Sequence, residues 1–479
     1  MFLGLDLGTS GLKGILINDD QTVADSASSG LAVLRPHDGW SEQDPADWIS
    51  AAENVFDELS SRRNLGAVRG IGLSGQMHGA TVIDAQNRVL RPSILWNDTR
   101  SSREASEMDA VEDWRAISGN IVFPGFTAPK LKWIQNHEPD LFSQIHKVLL
   151  PKDYLRLWLT GEYISDPSDS AGTSWLNTAK RDWSDDLLAL SDLDRGHMPE
   201  IVEGSEPGGN LRQDISSRWG FSPSVVVAGG GGDNAASGIG VGAVTDGQAF
   251  LSLGTSGVLF AATDTYSPAP ETAVHTFCHA LPNTWHQMGV ILAATDALNW
   301  FSGLAGKLPS ELTADLGSVA APGRALFLPY IGGERTPLND AKIRGAFVGL
   351  DHASDLKAVT KAVLEGVAFA FCDCRDALAS TGTKFDSLLA VGGGSNSDYW
   401  LQILATALNI PIDLPVDGDF GGAFGAARLA MMAADVGDVE VAGRPKISCT
   451  IEPDPSLTSA YSAKHEQFKD ARGAIKELK

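Results

Sequence analysis

The chain has 479 residues, with 60 acidic and 37 basic side chains and a formal net charge of −23. Hydrophobic residues make up 43% and charged residues 20%, a balance that excludes global disorder and supports two or three domains at this length. The acidic excess argues against nucleic acid or an anionic membrane as a partner, since both reward Lys/Arg patches. It leaves room for a small anion held by backbone N–H groups.

Cys278, Cys372, Cys374 and Cys449 form no C-x-x-C pair and are expected to be reduced packing thiols. The N-terminus MFLGLDLGTSG has neither a basic leader nor a long apolar run, and no stretch of 18 apolar residues occurs. The expected compartment is the cytoplasm.

In chain order, residues 2–17 (FLGLDLGTSGLKGILI) read as two strands joined by a Gly-Thr-Ser-Gly turn. An acidic loop at 38–48 leads to a helix near 46–61, then a buried strand near 68–74 and a hairpin at 80–91. Helical pattern dominates 126–160, and an apolar strand at 224–230 runs through four glycines into an Ala/Gly-rich helix. Residues 249–262 (AFLSLGTSGVLFAA) repeat the first hairpin at an offset of 246, the mark of a duplicated domain with a boundary near 244–246. The second half predicts helices near 290–304, 355–380 and 398–409, a strand at 385–391, and an amphipathic helix at 457–474. The whole reads as α/β layers.

No P-loop or zinc-ligand spacing occurs, and Gly238, Gly240 and Ala243 lie within a helical stretch rather than at a strand–helix turn. Three Gly-rich turns remain. In the first, Gly8, Thr9 and Ser10 allow close approach of a phosphate, Lys13 adds charge, and Asp6 either faces a metal ion or is satisfied by turn amides. The second, Gly254 and Thr255, lacks both charges, having Ser252 and Leu259 at the matching places. The third, Gly393, Gly394, Ser395 and Asn396, sits at a strand-to-helix turn and is either a capped tight turn or a ligand contact. Asp233 follows the four glycines and is open to two readings, helix cap or chemical base.

Two GTSG hairpins with a late GGGSN turn resemble the actin-like (ribonuclease-H-like) ATPase fold. GFTAPKLKWIQNH (125–137) is similar to one signature of the FGGY carbohydrate kinases, and RGAFVGLDHASDLKAVTKAVLEG (344–366) resembles a second, with Ala358 where that pattern has a polar residue. SGQMHGA (74–80), ILWNDTR (94–100), 166–184 and 229–242 resemble the bacterial xylulokinase branch of that family; the likeness runs from Met1 to about Ala433. Glycerol kinases carry Arg-Glu where this chain has Met77-His78.

The resemblance implies two duplicated actin-like domains, 1–244 binding sugar and 245–479 binding ATP, flanking a catalytic cleft. It implies MgATP-dependent phosphorylation of D-xylulose by a cytoplasmic homodimer. Asp233 would be the general base, Asp6 the Mg²⁺ residue, and Gln76, Met77, His78, Asp233 and Asn234 the sugar contacts. Gly8, Thr9, Ser10, Lys13, Gly254 and Thr255 would cradle phosphates, and Gly393, Gly394, Ser395 and Asn396 the adenosine side. A kinase for another pentulose or polyol, or an actin-like ATPase without kinase activity, are the alternatives.

Overall fold

The computed structural model describes residues 1–477 except 315, 417 and 419. Its organisation follows from the two repeated hairpins. The first is β1 (Phe2–Leu7) and β2 (Gly11–Ile17), antiparallel with Asp6 opposite Lys13. β3 (Val23–Gly30) extends the meander, and β4 (Gly70–Gly75) joins β1 in parallel. β5 (Pro207–Asn210), β6 (Val226–Ala228) and β7 (Gly231–Gly232) complete a sheet ordered β5-β6-β4-β1-β2-β3, with β7 beside β4.

The second hairpin, β8 (Ala249–Leu253) and β9 (Gly257–Thr263), seeds the other sheet with β10 (His275–Cys278) and β11 (Trp285–Ile291). β12 (Leu388–Val391), β13 (Ile412–Pro415) and β14 (Ile447–Ile451) follow, giving the order β10-β11-β9-β8-β12-β13-β14. In both sheets the hairpin's first strand pairs antiparallel with its mate and parallel with a later strand, so the duplication extends from sequence to topology.

Local chemistry sets the helices. In α1 (Pro45–Arg62), Asp44 caps the first turn by accepting from the Ala46 N–H, and Pro45 occupies a position needing no N–H. Trp48, Ala52, Val55, Phe56 and Leu59 recur at helical spacing and bury on the sheet, at about 1.5–3 kcal/mol for each large side chain. The 25-residue helix Leu356–Ser380 is capped by Asp355. Within it Cys372 points at the Ala407 carbonyl while Cys374 packs on Gly289, so the two thiols take different directions. Cys278 is buried with them, but Cys449 lies exposed on edge strand β14 and is no packing thiol.

One expected element differs. The helix read from 290 starts at Thr295, and residues 285–291 form strand β11 instead. The run GVILAA is apolar at every position, so it carries no period that separates a buried strand from a buried helix. The expected helix at 457–474 spans Thr458–Lys476, and the one at 398–409 spans Asp398–Leu408.

The halves meet through two small-residue helices, α2 (Asp233–Val241) and α3 (Gly422–Ala433). Although α3 comes late in the chain, it lies on the first sheet. A Cβ on Gly4 or Gly72 would stand 1.8 Å from a carbonyl oxygen of Ala423 or Ala426, and one on Gly425 1.7 Å from that of Ala236 in α2. Glycine is required at these places because backbone touches backbone.

Candidate active site

Two cavities open between the halves, of about 790 and 610 Å³, and both are lined by Asn234 and Ser252. The larger continues along α2 and Gly392, Ser395 and Asn396 to Phe420 and Gly421. The smaller is lined by Met77, His78, Trp96, Phe126, Asp233, Gly254, Thr255 and Arg335, among others. Thus Met77, His78, Asp233, Asn234, Gly254 and Thr255 converge on one space, and Ser395 and Asn396 on the adjoining one. Gly393 faces open space, whereas Gly394 packs on Leu253.

Asp233 opens α2, immediately after β7, and lines the smaller cavity. It does not cap the helix. Its carboxylate accepts from the Asn234 backbone N–H at 2.7 Å and the Asn234 side-chain amide at 2.9 Å. Burial, and secondarily the nearby charge of Asp6, push its pKa up to about 7. A carboxylate poised there holds and releases a proton near neutrality, as a general base requires.

Asp6 accepts from the Ser74 hydroxyl at 2.8 Å, beneath the first turn of α3 at Gly422. Among the described residues no cluster of three or more His, Cys, Asp or Glu side chains suits a metal ion. A carboxylate that acts electrostatically on Asp233 still fits Mg²⁺ in the form it takes beside nucleotides, held mainly by phosphate and water.

His78 has φ of +70°, rare for a residue with a side chain, and this backbone is held from several directions. Its carbonyl accepts from the buried Lys130 ammonium at 2.9 Å and from the Thr127 hydroxyl at 3.1 Å. The ring stacks on Phe126 at 4.5 Å, and Nδ1 sits 2.7 Å from the Gly172 carbonyl. A carbonyl only accepts, so Nδ1 carries the hydrogen and Nε2 is left as an acceptor. Burial, with the Lys130 charge next, lowers the His78 pKa to about 3, so the ring is neutral. Met77 packs on Gly172 and on Gly232.

Gln76 and the first hairpin stand behind this wall. The Gln76 amide is buried, accepting from Thr9 at 3.0 Å and donating to Gln43 at 2.9 Å. Thr9 also accepts from the indole N–H of Trp96 at 2.9 Å, tying the hairpin to the smaller cavity. The Gly8 N–H donates to the Gly11 carbonyl at 3.0 Å, Ser10 is exposed, and Lys13 lies opposite Asp6. None of Gly8, Thr9, Ser10 and Lys13 lines either cavity.

Sequence reasoning missed Trp96, Phe126, His275, Phe277 and Arg335, all on the smaller cavity. Phe126 stands inside the 125–137 signature and Trp96 inside 94–100, so position within those motifs could have found them. No local pattern marks His275 or Arg335.

Behind Asp233, Lys152 is fully buried against Asp153 at 2.6 Å, Asp166 at 2.8 Å and Asp169 at 3.5 Å. Asp166 accepts from the Ser168 hydroxyl, whose oxygen accepts from the Gly232 N–H at 3.1 Å. This buried network supports the turn that delivers Asp233.

The model of the FGGY family of carbohydrate kinases, N-terminal domain, matches residues 1–240, and that of the C-terminal domain matches 249–434. The chain is 47% identical to the xylulose kinase of Escherichia coli (strain K12), over 98% of both chains. It is 45% identical to that of Klebsiella pneumoniae, over the whole of both. A crystal structure of a xylulose kinase from Brucella ovis superposes with a TM-score of 0.99 at 59% identity, covering all of both chains. The chain belongs to the FGGY family of carbohydrate kinases.

Proposed function

We propose that this protein phosphorylates D-xylulose at its terminal hydroxyl with MgATP, giving D-xylulose 5-phosphate and ADP. The observation that carries this reading is the junction of the two cavities at Asn234 and Ser252, with Asp233 beside it. A ketose in the smaller cavity presents its terminal hydroxyl to Asp233, and a nucleotide in the larger one presents its γ-phosphate to the same place. Asp233 takes the proton as the hydroxyl oxygen bonds to phosphorus and the bond to ADP breaks. Positioning and charge neutralisation supply most of the catalysis, because the transition state is loose.

His78 accepts a sugar hydroxyl at Nε2, Met77 gives an apolar wall, and Asn234 lies within reach of both ligands. Gly254 and Thr255 of the second hairpin and Gly8, Thr9, Ser10 and Lys13 of the first clasp the phosphates from opposite sides. Gly393, Gly394, Ser395 and Asn396 take the adenosine side. Asp6 would hold Mg²⁺, which when bound neutralises phosphate charge. In this reading residues 1–244 and 245–479 are the two units that close on the ligands, with the late helix α3 carried on the first sheet, and the working form is a homodimer in the cytoplasm.

ADP release measured by a coupled assay with D-xylulose, D-ribulose and glycerol tests the proposal. D-xylulose should give the highest kcat/KM. A larger value for D-ribulose or glycerol, or ADP release independent of any sugar, would refute it. Light scattering checks the dimer.

A further inference from the structure

The smaller cavity has one wall that the reaction above does not use. His275, Phe123 and Arg335 line this cavity and not the larger one. The Arg335 guanidinium lies over the Phe123 ring, 4.1 Å from its centre, and one of its nitrogens is 3.4 Å from His275 Nε2. His275 in turn packs on Phe126, the ring stacked against His78. Arg335 therefore belongs to one packed group with His275, Phe126 and His78.

Its charge is not cancelled nearby. Arg335 makes no ion pair among the described residues. The adjacent Glu334 turns its carboxyl to backbone, accepting from the N–H groups of Leu292 at 2.9 Å and of Arg335 itself at 2.8 Å. Burial pushes the Glu334 pKa up to about 8, so this neighbour is largely neutral at pH 7. Arg335 is lowered only to about 10 and stays charged. His275 donates nothing to it. With Nε2 facing the guanidinium, the hydrogen lies on Nδ1, which is buried without a hydrogen-bond partner. A guanidinium carries five N–H donors in a planar fork, matched to two oxygens on adjacent carbons or on one carboxylate. An apolar cavity with a single such fork orients an oxygen-rich ligand end.

We propose that Arg335 receives the carbonyl end of the ketose, its C1 hydroxyl and C2 oxygen, and that the same fork lets the cavity bind a five-carbon aldonate. The inference rests on the sugar-kinase reading, which places the other end of the chain at Asp233. It makes Arg335 favour the ketose over the polyol of equal length, whose C1 and C2 hydroxyls can meet the fork but which lacks the planar carbonyl acceptor. The aldonate carries a carboxylate at C1 beside a C2 hydroxyl, offers the fork two carboxylate oxygens, and binds as an inhibitor.

The test uses the full-length protein, D-xylulose, xylitol and D-xylonate, with calorimetric binding in the absence of nucleotide and initial rates in its presence. For the wild type, D-xylonate should bind and compete with D-xylulose. Arg335→Met keeps the packing on Phe123 and removes the fork. It should weaken D-xylonate binding about a hundredfold and raise the D-xylulose KM about tenfold, the range of hydrogen bonds to a charged group. Xylitol affinity should fall less than that for D-xylulose, and Arg335→Lys should recover part of the loss. Equal D-xylulose/xylitol discrimination in wild type and Arg335→Met overturns the proposal. Should Arg335→Met fail to fold, the wild type alone decides: D-xylonate that neither binds nor competes overturns it. A wild type that releases no ADP on adding D-xylulose refutes the sugar-kinase reading instead, a result distinct from normal turnover with an indifferent Arg335.

Discussion

Asp233 is held in its site against its own preference, and replacing it should stabilise the protein while stopping the reaction. Its pKa stands at about 7 in the fold against 3.8 for an ordinary aspartate. The folded state thus holds the proton more tightly than the unfolded chain, and stability falls as pH rises from about 4 to about 7. The full penalty is present above that range and absent below it. At 1.36 kcal/mol per unit, it has a ceiling of about 4 kcal/mol at pH 8 and about 2 kcal/mol at pH 5. Asp233→Asn keeps the shape and removes the charge. With an unfolding entropy of about 1 kcal/mol/K for a chain of this size, Tm should rise by up to ~4 °C at pH 8 and about half that at pH 5. Over the same substitution kcat should fall about 10²–10⁴-fold. Calorimetric scans of both proteins at the two pH values, without ligands, are the assay. A variant no more stable than wild type at pH 8, or a gain that ignores pH, would refute the argument. So would a variant keeping more than about a third of wild-type kcat.

The pH–rate profile should show the same group. The kcat/KM for D-xylulose should rise about tenfold from pH 6 to pH 8, and Asp6→Asn, by removing the second cause of the shift, should move this limb to lower pH. Asp6→Ala should impair Mg²⁺-dependent turnover more than Ser252→Ala, and equal effects would contradict a metal role for Asp6. His78 should stay neutral across pH 5–9, so nitrogen NMR showing Nε2 protonating near pH 6.5 would contradict its assigned tautomer. His78→Ala should lower kcat/KM for D-xylulose by one or two orders of magnitude and flatten the preference among pentuloses, with the ATP KM changed less than about twofold. Gly425→Val, which forces side-chain atoms into the Ala236 carbonyl, should cost at least about 1–3 kcal/mol, read as a lowered Tm.

The hairpins, their duplication and the order of most elements were legible because each rests on local chemistry: a small-residue turn between apolar runs, a capping Asp44, a helical stripe in α1. Strand β11 was not, because an unbroken apolar run has no period. At the site, the strand and four glycines before Asp233 marked it as the start of a helix, while the reading of it as a base came from the family resemblance. The φ of His78 and its fixed tautomer depend on Lys130, Thr127 and Gly172, which lie 49 to 94 residues away in sequence. Arg335 lies 60 residues from His275 and more than 200 from Phe123. One available signal went unread: Gly4 on β1, and Gly70 and Gly72 on β4, alternate so as to clear one face of each strand. That pattern announces a helix seated directly on the sheet.

That seat has a bearing on how such an enzyme drifts over generations. Gly4, Gly72 and Gly425 line neither of the two cavities described above, yet each faces a carbonyl at a distance no Cβ tolerates. Change at these positions is blocked one residue at a time, since no compensating side chain exists to be trimmed. Cavity positions such as Phe123, Val258 and Met288 face space rather than backbone and admit gradual replacement. A lineage can therefore exchange one sugar for another by stepwise substitution in the smaller cavity while the joint between α2, α3 and the first sheet stays frozen. Libraries built to alter the substrate should be drawn the same way, diverse around the cavity and silent at the glycines.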